Sequence, residues 1–280
     1  MQEIKDYIKN VVLKNPLLAD SKDRISFVLS GSRAVGYYVP ESDYDFLGLC
    51  DSETYAHVAK LAGRDPAASD IDIFLNEEAA ELGGIKVDVS LFDRSRIEQA
   101  FQNYRDVVIW IWTKARIIVD KGNSVRDLKR IFTGYPREIL EQKLRYHWLR
   151  DFNLSVHSMT YQPKSQNVFS VVYALSSKIA EQCKLCCLLD GKPFPYDKWL
   201  LRACEETELG AKLSPVFQRV TAILTKLDND LGKNWPMVQE AINAIDTEAC
   251  DILEDTLVKW GFEREWIDNS IRDLGDMLFQ

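Results

Sequence analysis

The sequence predicts an α+β chain: an N-terminal domain over residues 1–133, built on a mixed β-sheet flanked by helices, followed by a C-terminal α-helical bundle over 134–280. Three observations predict it. Short β-rich runs alternate with helical stretches in the first half; strand signals vanish from about Pro136; long stretches of helical periodicity then take over. In order, the N-terminal stretch 1–16, MQEIKDYIKNVVLKNP, reads as an amphipathic helix with Ile4, Ile8, Val11 and Val12 on one side. Ile25 to Leu29 is a compact apolar run that ends at the turn Ser30-Gly31-Ser32. Tyr44 to Leu49 and Ile71 to Leu75 are further strand candidates, and Ile85 to Phe92 alternates cleanly. Ala115 to Val119 reads as a last strand or the tail of a helix. Helices are expected over Ser52 to Leu61, opening on a Ser/Glu capping pattern, and over Arg94 to Phe101 behind an Asp93 cap. In the second half the periodic stretches are 137–158, 165–189, 195–207, 212–230, 235–261 and 264–279. Gly191-Lys192-Pro193, Gly210 and Ser214-Pro215 serve as breaks.

Bulk properties narrow the function classes. The chain has 280 residues, 46% of them hydrophobic, enough for a full core without disulfides. Its formal net charge of −8 argues against a long nucleic-acid footprint and suits a small or cationic acceptor. Six cysteines follow no secreted-scaffold spacing, and Cys183, Cys186 and Cys187 read as buried reduced thiols on a helix, which implies a cytoplasmic protein. Charges from Glu3 onward exclude a signal peptide, and no uncharged apolar run approaches the ~20 residues of a membrane span.

The segment Phe27 to Leu49, FVLSGSRAVGYYVPESDYDFLGL, carries the chemistry. A strand ending at Gly31-Ser32 turns tightly and exposes backbone N–H groups that suit phosphate oxygens. Ser32 adds a hydroxyl donor, and Arg33 a charge that points at the same anion or faces solvent. Side chains alternate on a strand, so Asp43 and Asp45 share a face, about 7 Å apart. Paired carboxylates beside apolar Phe46 and Leu47 call for a cation, and hard oxygen ligands suit Mg²⁺. Asp88 sits mid-strand between Val87 and Val89. If its strand lies beside Tyr44 to Leu49, three carboxylates share one site, as two-metal phosphoryl or nucleotidyl transfer requires.

Gly31-Ser32, a spacer of ten, Asp43-x-Asp45 and the later apolar-Asp88-apolar strand resemble the signature of the polymerase-β-like nucleotidyltransferase superfamily. The longer form GSRAxG…SDYDF is similar to its branch of antibiotic-modifying (aminoglycoside and lincosamide) and related small nucleotidyltransferases. The resemblance covers residues 25–92. The stretch Gly191-Lys192-Pro193-Phe194-Pro195, with Lys198-Trp199-Leu200, resembles less specifically an element of the accessory helical bundles in that superfamily. The resemblance implies transfer of a nucleoside monophosphate, AMP first, from ATP or another NTP to a hydroxyl, with pyrophosphate released. Asp43 and Asp45 would hold two Mg²⁺ ions and Asp88 the one that activates the acceptor. Gly31 and Ser32 would hold the β- and γ-phosphates, with Arg33, Ser42 and Lys178 as further nucleotide-side candidates.

Bland readings stand beside the sharp ones. Asp70 and Asp72 form another same-face pair that competes with Asp88, which is preferred for its longer apolar strand. Lys178 reaches the triphosphate or faces solvent, and Lys198 is a weaker candidate of the same kind. Glu138, Glu141 and Glu181 are general-base candidates, each more often a solvated face residue. His57, His147 and His157 read as structural or surface residues. Tyr37 or Tyr38 could stack on the base, whereas Trp110 and Trp112 belong to packing. The acceptor reads as a hydroxylated, cationic small molecule, aminoglycoside-like, which makes the chain an antibiotic-resistance candidate. Protein or tRNA as acceptor, and an NTP-binding module without turnover, are the competing readings. Apolar helical faces serve a monomer or a homodimer alike.

Overall fold

The computed structural model describes residues 1–67, 72–75, 80–160, 167–228 and 230–269, with side chains left out of account at 155–160 and 231. Contacts divide the chain into two compact units, Met1–Thr133 and Gly134–Gln280. The first is a mixed sheet with helices and the second is helical, an α+β arrangement.

The N-terminal unit opens with α1 (Gln2–Asn10), which buries Tyr7 and Ile8. Of the residues expected on its apolar side, Val12 is buried in the 3-10 turn that follows, and Val11 is exposed. Then come β1 (Ser26–Ser30), α2 (Gly31–Val35), β2 (Tyr44–Cys50) and α3 (Ser52–Leu61). They are followed by β3 (Asp72–Phe74), β4 (Glu81–Leu82), β5 (Ile85–Asp93), α4 (Arg94–Gln102), α5 (Asp106–Lys114), β6 (Arg116–Val119) and α6 (Ser124–Ile131). Among the described residues the sheet runs β3-β5-β2-β1-β6, with β4 paired off the path to β5. β2 and β5 are parallel and the other pairs antiparallel, so the middle strands need long crossovers and are covered on both faces. β1 is buried at every position, as its unbroken apolar run requires.

Two clusters fill the faces of this sheet. One joins Ile8, Leu18, Phe27, Phe46, Val58 and Val89. The other joins Val28, Leu49, Ile97, Phe101, Ile109 and Trp112. Alternation explains the division: Phe27 and Val28 are neighbours on β1 and point to opposite faces. Trp110 and Trp112 are both buried, on α5, a helix whose apolar run gives no clear strand or helix period. The cap of α3 is Asp51, which accepts from Thr54 N at 2.8 Å, in place of the expected Ser52. Asp93 caps α4 as expected, accepting from Ser95 N at 2.8 Å.

The helical unit comprises α7 (Arg137–Thr160), α8 (Val168–Leu189), α9 (Asp197–Glu205), α10 (Glu208–Leu224), α11 (Leu231–Asn243), α12 (Cys250–Trp260) and α13 (Arg264–Asn269). A π-helical turn, Ala244–Ala249, joins α11 to α12. The core gathers Trp148, Leu175, Leu185, Phe217, Ile245 and Leu253. All six cysteines of the chain are free and buried. Gly210 and Pro215 do not break the helix, as the sequence suggested; both lie inside α10, which starts from a Thr207 cap. Gly210 is there for close packing, because a Cβ would overlap the carbonyl of Cys204. No helix among the described residues is long and apolar enough to cross a membrane.

Candidate active site

The site is built where β1 hands over to α2. Gly31 takes φ +62, a conformation that L side chains avoid, and so turns the chain within one residue. A Cβ at this position would overlap Oδ2 of Asp45. Glycine is therefore required twice, by its backbone and by the carboxylate lying over it. Ser30, the residue before α2, makes no side-chain bond to the first-turn amides, and Ser32 is buried. Arg116 Nε donates to the Ala34 carbonyl at 2.7 Å and ties the end of α2 to β6.

Arg33 positions the loop that follows. Its Nε donates to the Ser42 carbonyl at 2.7 Å and its Nη2 to the Pro40 carbonyl at 2.9 Å. The guanidinium lies over the Tyr44 ring at 4.2 Å and within 5.1 Å of the exposed Tyr38 ring. Ser42 Oγ accepts from Val39 N at 3.0 Å. Both residues, expected on the nucleotide side, are engaged here in fixing the segment that delivers Asp43. The physical reason is that two carbonyls and two ring faces satisfy a planar cation locally.

The carboxylates meet through strand register. In the parallel pair β2/β5, Asp45 stands opposite Asp88, and in the antiparallel pair β1/β2 it stands opposite Ser30. Asp43 precedes β2 by one residue. Of the rival pair, Asp72 lies on β3 opposite Phe92, toward the other end of β5, and Asp70 falls outside the described residues.

A fourth residue, Lys86, belongs to this corner and was missed from the sequence. Its Nζ is 2.8 Å from Asp88 Oδ2 and 3.9 Å from Asp43 Oδ2. The hydrogen bond and charge of Asp88, with the charges of Asp43 and Asp45, raise the lysine's pKa above its ordinary value. The signal was present: Lys86 and Asp88 are two apart on an alternating strand and share a face. Exposures of 62% for the Lys86 side chain, 45% for Asp43 and 24% for Asp88 keep the corner open to solvent.

Lys178, the other nucleotide-side candidate, lies on α8 and is fully buried in the helical unit. Its Nζ is 2.6 Å from Asp151 Oδ2 and 3.0 Å from Asp246 Oδ1, so its charge is committed there. Glu181 is also internal to that unit. Its Oε2 is 2.6 Å from His147 Nδ1, and its Oε1 accepts from Lys184 at 3.1 Å and from Arg150 at 3.2 Å. Glu141 pairs with Arg145, and Glu138 is exposed. The side chain of His157 falls outside the described residues.

Residues 12–123 match the family model for a nucleotidyltransferase domain. The chain carries a nucleotidyltransferase domain. The match spans every strand of the sheet described above and implies a nucleoside triphosphate as co-substrate. No curated protein matches the sequence. Among solved structures, the chain is similar to a nucleotidyltransferase-like protein from Exiguobacterium sibiricum 255-15, at 8% identity and a TM-score of 0.43. That likeness covers 98% of this chain and 89% of the other.

The residues of the nucleotidyltransferase domain also fit a divalent cation by their chemistry. The donors are carboxylate oxygens only, the set that hard cations take. Among the described residues no three acidic, histidine or cysteine side chains converge as a ready-made cluster. Instead an ammonium draws on Asp43 and Asp88 together, and Lys86 is the internal stand-in for positive charge at this corner.

Proposed function

We propose that this nucleotidyltransferase domain moves a nucleoside monophosphate, AMP in the first instance, from an NTP to an acceptor hydroxyl and releases pyrophosphate. The observation that carries the reading is the register of β2 and β5, which sets Asp45 beside Asp88, while the Asp45 carboxylate fills the place a Cβ on Gly31 would take. Asp43, Asp45 and Asp88 are the residues that hold Mg²⁺, as two ions. The cations supply charge neutralisation on the triphosphate and a lower pKa for the attacking hydroxyl.

The chain's own residues do the positioning. Gly31 lets the backbone pass beneath the carboxylate, so the α-phosphate and the acidic residues share one small volume. Ser32 and the first amides of α2 face the leaving pyrophosphate. Lys86 offsets the mutual repulsion of the acids and gives way to the cation when Mg²⁺ and substrate arrive. Arg33 acts as a positioning residue, through the loop that carries Asp43. The proposed acceptor is a hydroxylated, cationic small molecule of the aminoglycoside kind, a reading supported by the net charge of −8 and the open acidic corner.

The test is pyrophosphate release from each of the four NTPs with Mg²⁺ and a panel of aminoglycosides and lincosamides, with Asp45→Asn as the matched control. Acceptor-dependent release that the variant lacks supports the reading. NTP binding without release in every pool returns the chain to a binding module. Neither binding nor release removes Gly31, Ser32 and the three aspartates as an active site.

A further inference from the structure

A second charged feature lies on the same domain and is untouched by the chemistry above. Between α1, the turns that follow it and the β6 edge is a groove of about 700 Å³. Lys5, Lys9, Lys14, Lys22 and Lys121 line it, against two acids, Asp6 and Asp23. Lys121 lies 3.4 Å from Asp23, and Asp6 accepts from Gln2 at 2.9 Å. Lys5, Lys9, Lys14 and Lys22 are exposed and have no carboxylate partner among the described residues. In a chain with 43 acidic and 35 basic residues, four unpaired lysines converging on one concavity are a local reversal of sign.

The groove sits at the start of β1 and the carboxylate corner at its end. Val119 pairs with Phe27 and Lys121 N donates to Ser26 Oγ at 2.8 Å, whereas Asp45 pairs with Ser30. Four strand residues separate the two ends, about 13 Å. The groove's ligand is therefore not the reacting phosphate of the site above.

We propose that this groove binds the phosphodiester backbone of a single-stranded nucleic acid. The ligand carries several negative charges, since five ammonium groups are spread along the concavity. Lys5 and Lys9 stand one helical turn apart, ~6 Å along the axis, which is the separation of neighbouring phosphates on one polynucleotide strand. Lysines act as point charges and make single contacts to phosphate oxygens, with no arginine fork here to select carboxylates. The apolar floor is Leu13, Ile118 and Val119, without an aromatic ring to stack a base. Recognition is thus of the backbone, independent of sequence. An amphipathic membrane contact is disfavoured because the apolar side chains Tyr7 and Ile8 of α1 are buried in the core.

The experiment is fluorescence anisotropy of a labelled 12-nucleotide oligo(U) with the full chain, without NTP, across a salt series. Two triple variants are compared: Lys5→Gln, Lys9→Gln, Lys22→Gln in the groove, and Lys60→Gln, Lys226→Gln, Lys259→Gln outside it. Both remove the same charge from exposed positions, and circular dichroism melting checks that both fold. The groove variant is expected to bind about tenfold or more weakly, with the slope of log affinity against log salt reduced by about 2, while the control triple matches wild type. Four outcomes overturn the proposal: no oligo(U) binding by the wild type, equal weakening in both triples, preference for poly-glutamate of equal charge, or binding to anionic vesicles but not oligo(U). None of them depends on whether nucleotidyl transfer occurs.

Discussion

Both units of this chain place acids around a lysine, and they do so to opposite ends. At the sheet corner Lys86 faces Asp43 and Asp88 with its side chain 62% exposed. In the helical unit Lys178 faces Asp151 and Asp246, with side chains 1% and 9% exposed, and is itself 1% exposed. Water and salt weaken the first cluster, so its cation is exchangeable at little cost. In the second, burial disfavours both charged forms. Burial nevertheless loses to the carboxylates at Lys178, whose pKa is pushed up, while at Asp151 burial outweighs the lysine and pushes that pKa up as well. Both shifts favour keeping protons, as expected where two acids share one buried ammonium. The same ingredients give an open corner that trades cations and a closed lock that does not.

The largest expected effect breaks the lock. Lys178→Ala should lower the unfolding free energy by about 3–5 kcal/mol, because it strands buried carboxylates; urea unfolding followed by circular dichroism reads it. A loss no greater than that of an exposed lysine would erase the contrast between the two clusters. Next, Gly31→Ala should cost about 1–3 kcal/mol for its positive φ alone, with the overlap on Asp45 adding a fall in pyrophosphate release. If stability drops and release does not, the closeness of Gly31 to Asp45 has no bearing on turnover. Asp93→Ala, an acid of the sheet unit with a capping task, should cost about 1 kcal/mol with release unchanged.

Glu181 offers a test by pH. Burial pushes its pKa up, but the hydrogen bond and charge of His147, with the Lys184 charge, prevail and hold it below the ordinary carboxylate value. A depressed folded pKa stabilises above the unfolded value of ~4.3, and that stability disappears as pH falls through the folded value. Glu181→Gln should therefore flatten the stability loss of the wild type below about pH 4.3; an unchanged acid limb would show that Glu181 is not held as described. The smallest effect should be Lys86→Ala, with an unchanged unfolding midpoint and a lower Mg²⁺ concentration for half-maximal release. A higher Mg²⁺ requirement would show that the ammonium assists substrate instead of competing with the cation.

What the sequence disclosed and withheld follows the range of each interaction. Strand alternation is a local rule, so the shared face of Asp43 and Asp45 and the mid-strand position of Asp88 were legible, although only the register shows that Asp45 and Asp88 are neighbours. The same rule sets Lys86 on the face of Asp88, two positions along β5. The partners of Lys178 are 27 and 68 positions away in sequence, on α7 and the π-helical turn, and no periodicity announces such a meeting. Gly210 and Pro215 looked like helix breaks because local propensity was allowed to decide. At Gly210 close contact with Cys204 decides instead. Net charge, an average over 280 residues, concealed the lysine groove.

The parallel pairing of β2 with β5 also sets a timetable. Asp45 and Asp88 are 43 positions apart in sequence and become neighbours only when the crossover through α3, β3 and β4 has closed. Non-local pairings of this kind form late and limit the rate of folding. A nascent chain that has emerged only as far as β4 already displays Asp43 and Asp45, yet it lacks their third acid and the strand that aligns them. Each new molecule thus acquires its acidic corner in one step, when β5 docks and brings Asp88 together with Lys86, the ammonium that offsets the repulsion among the acids.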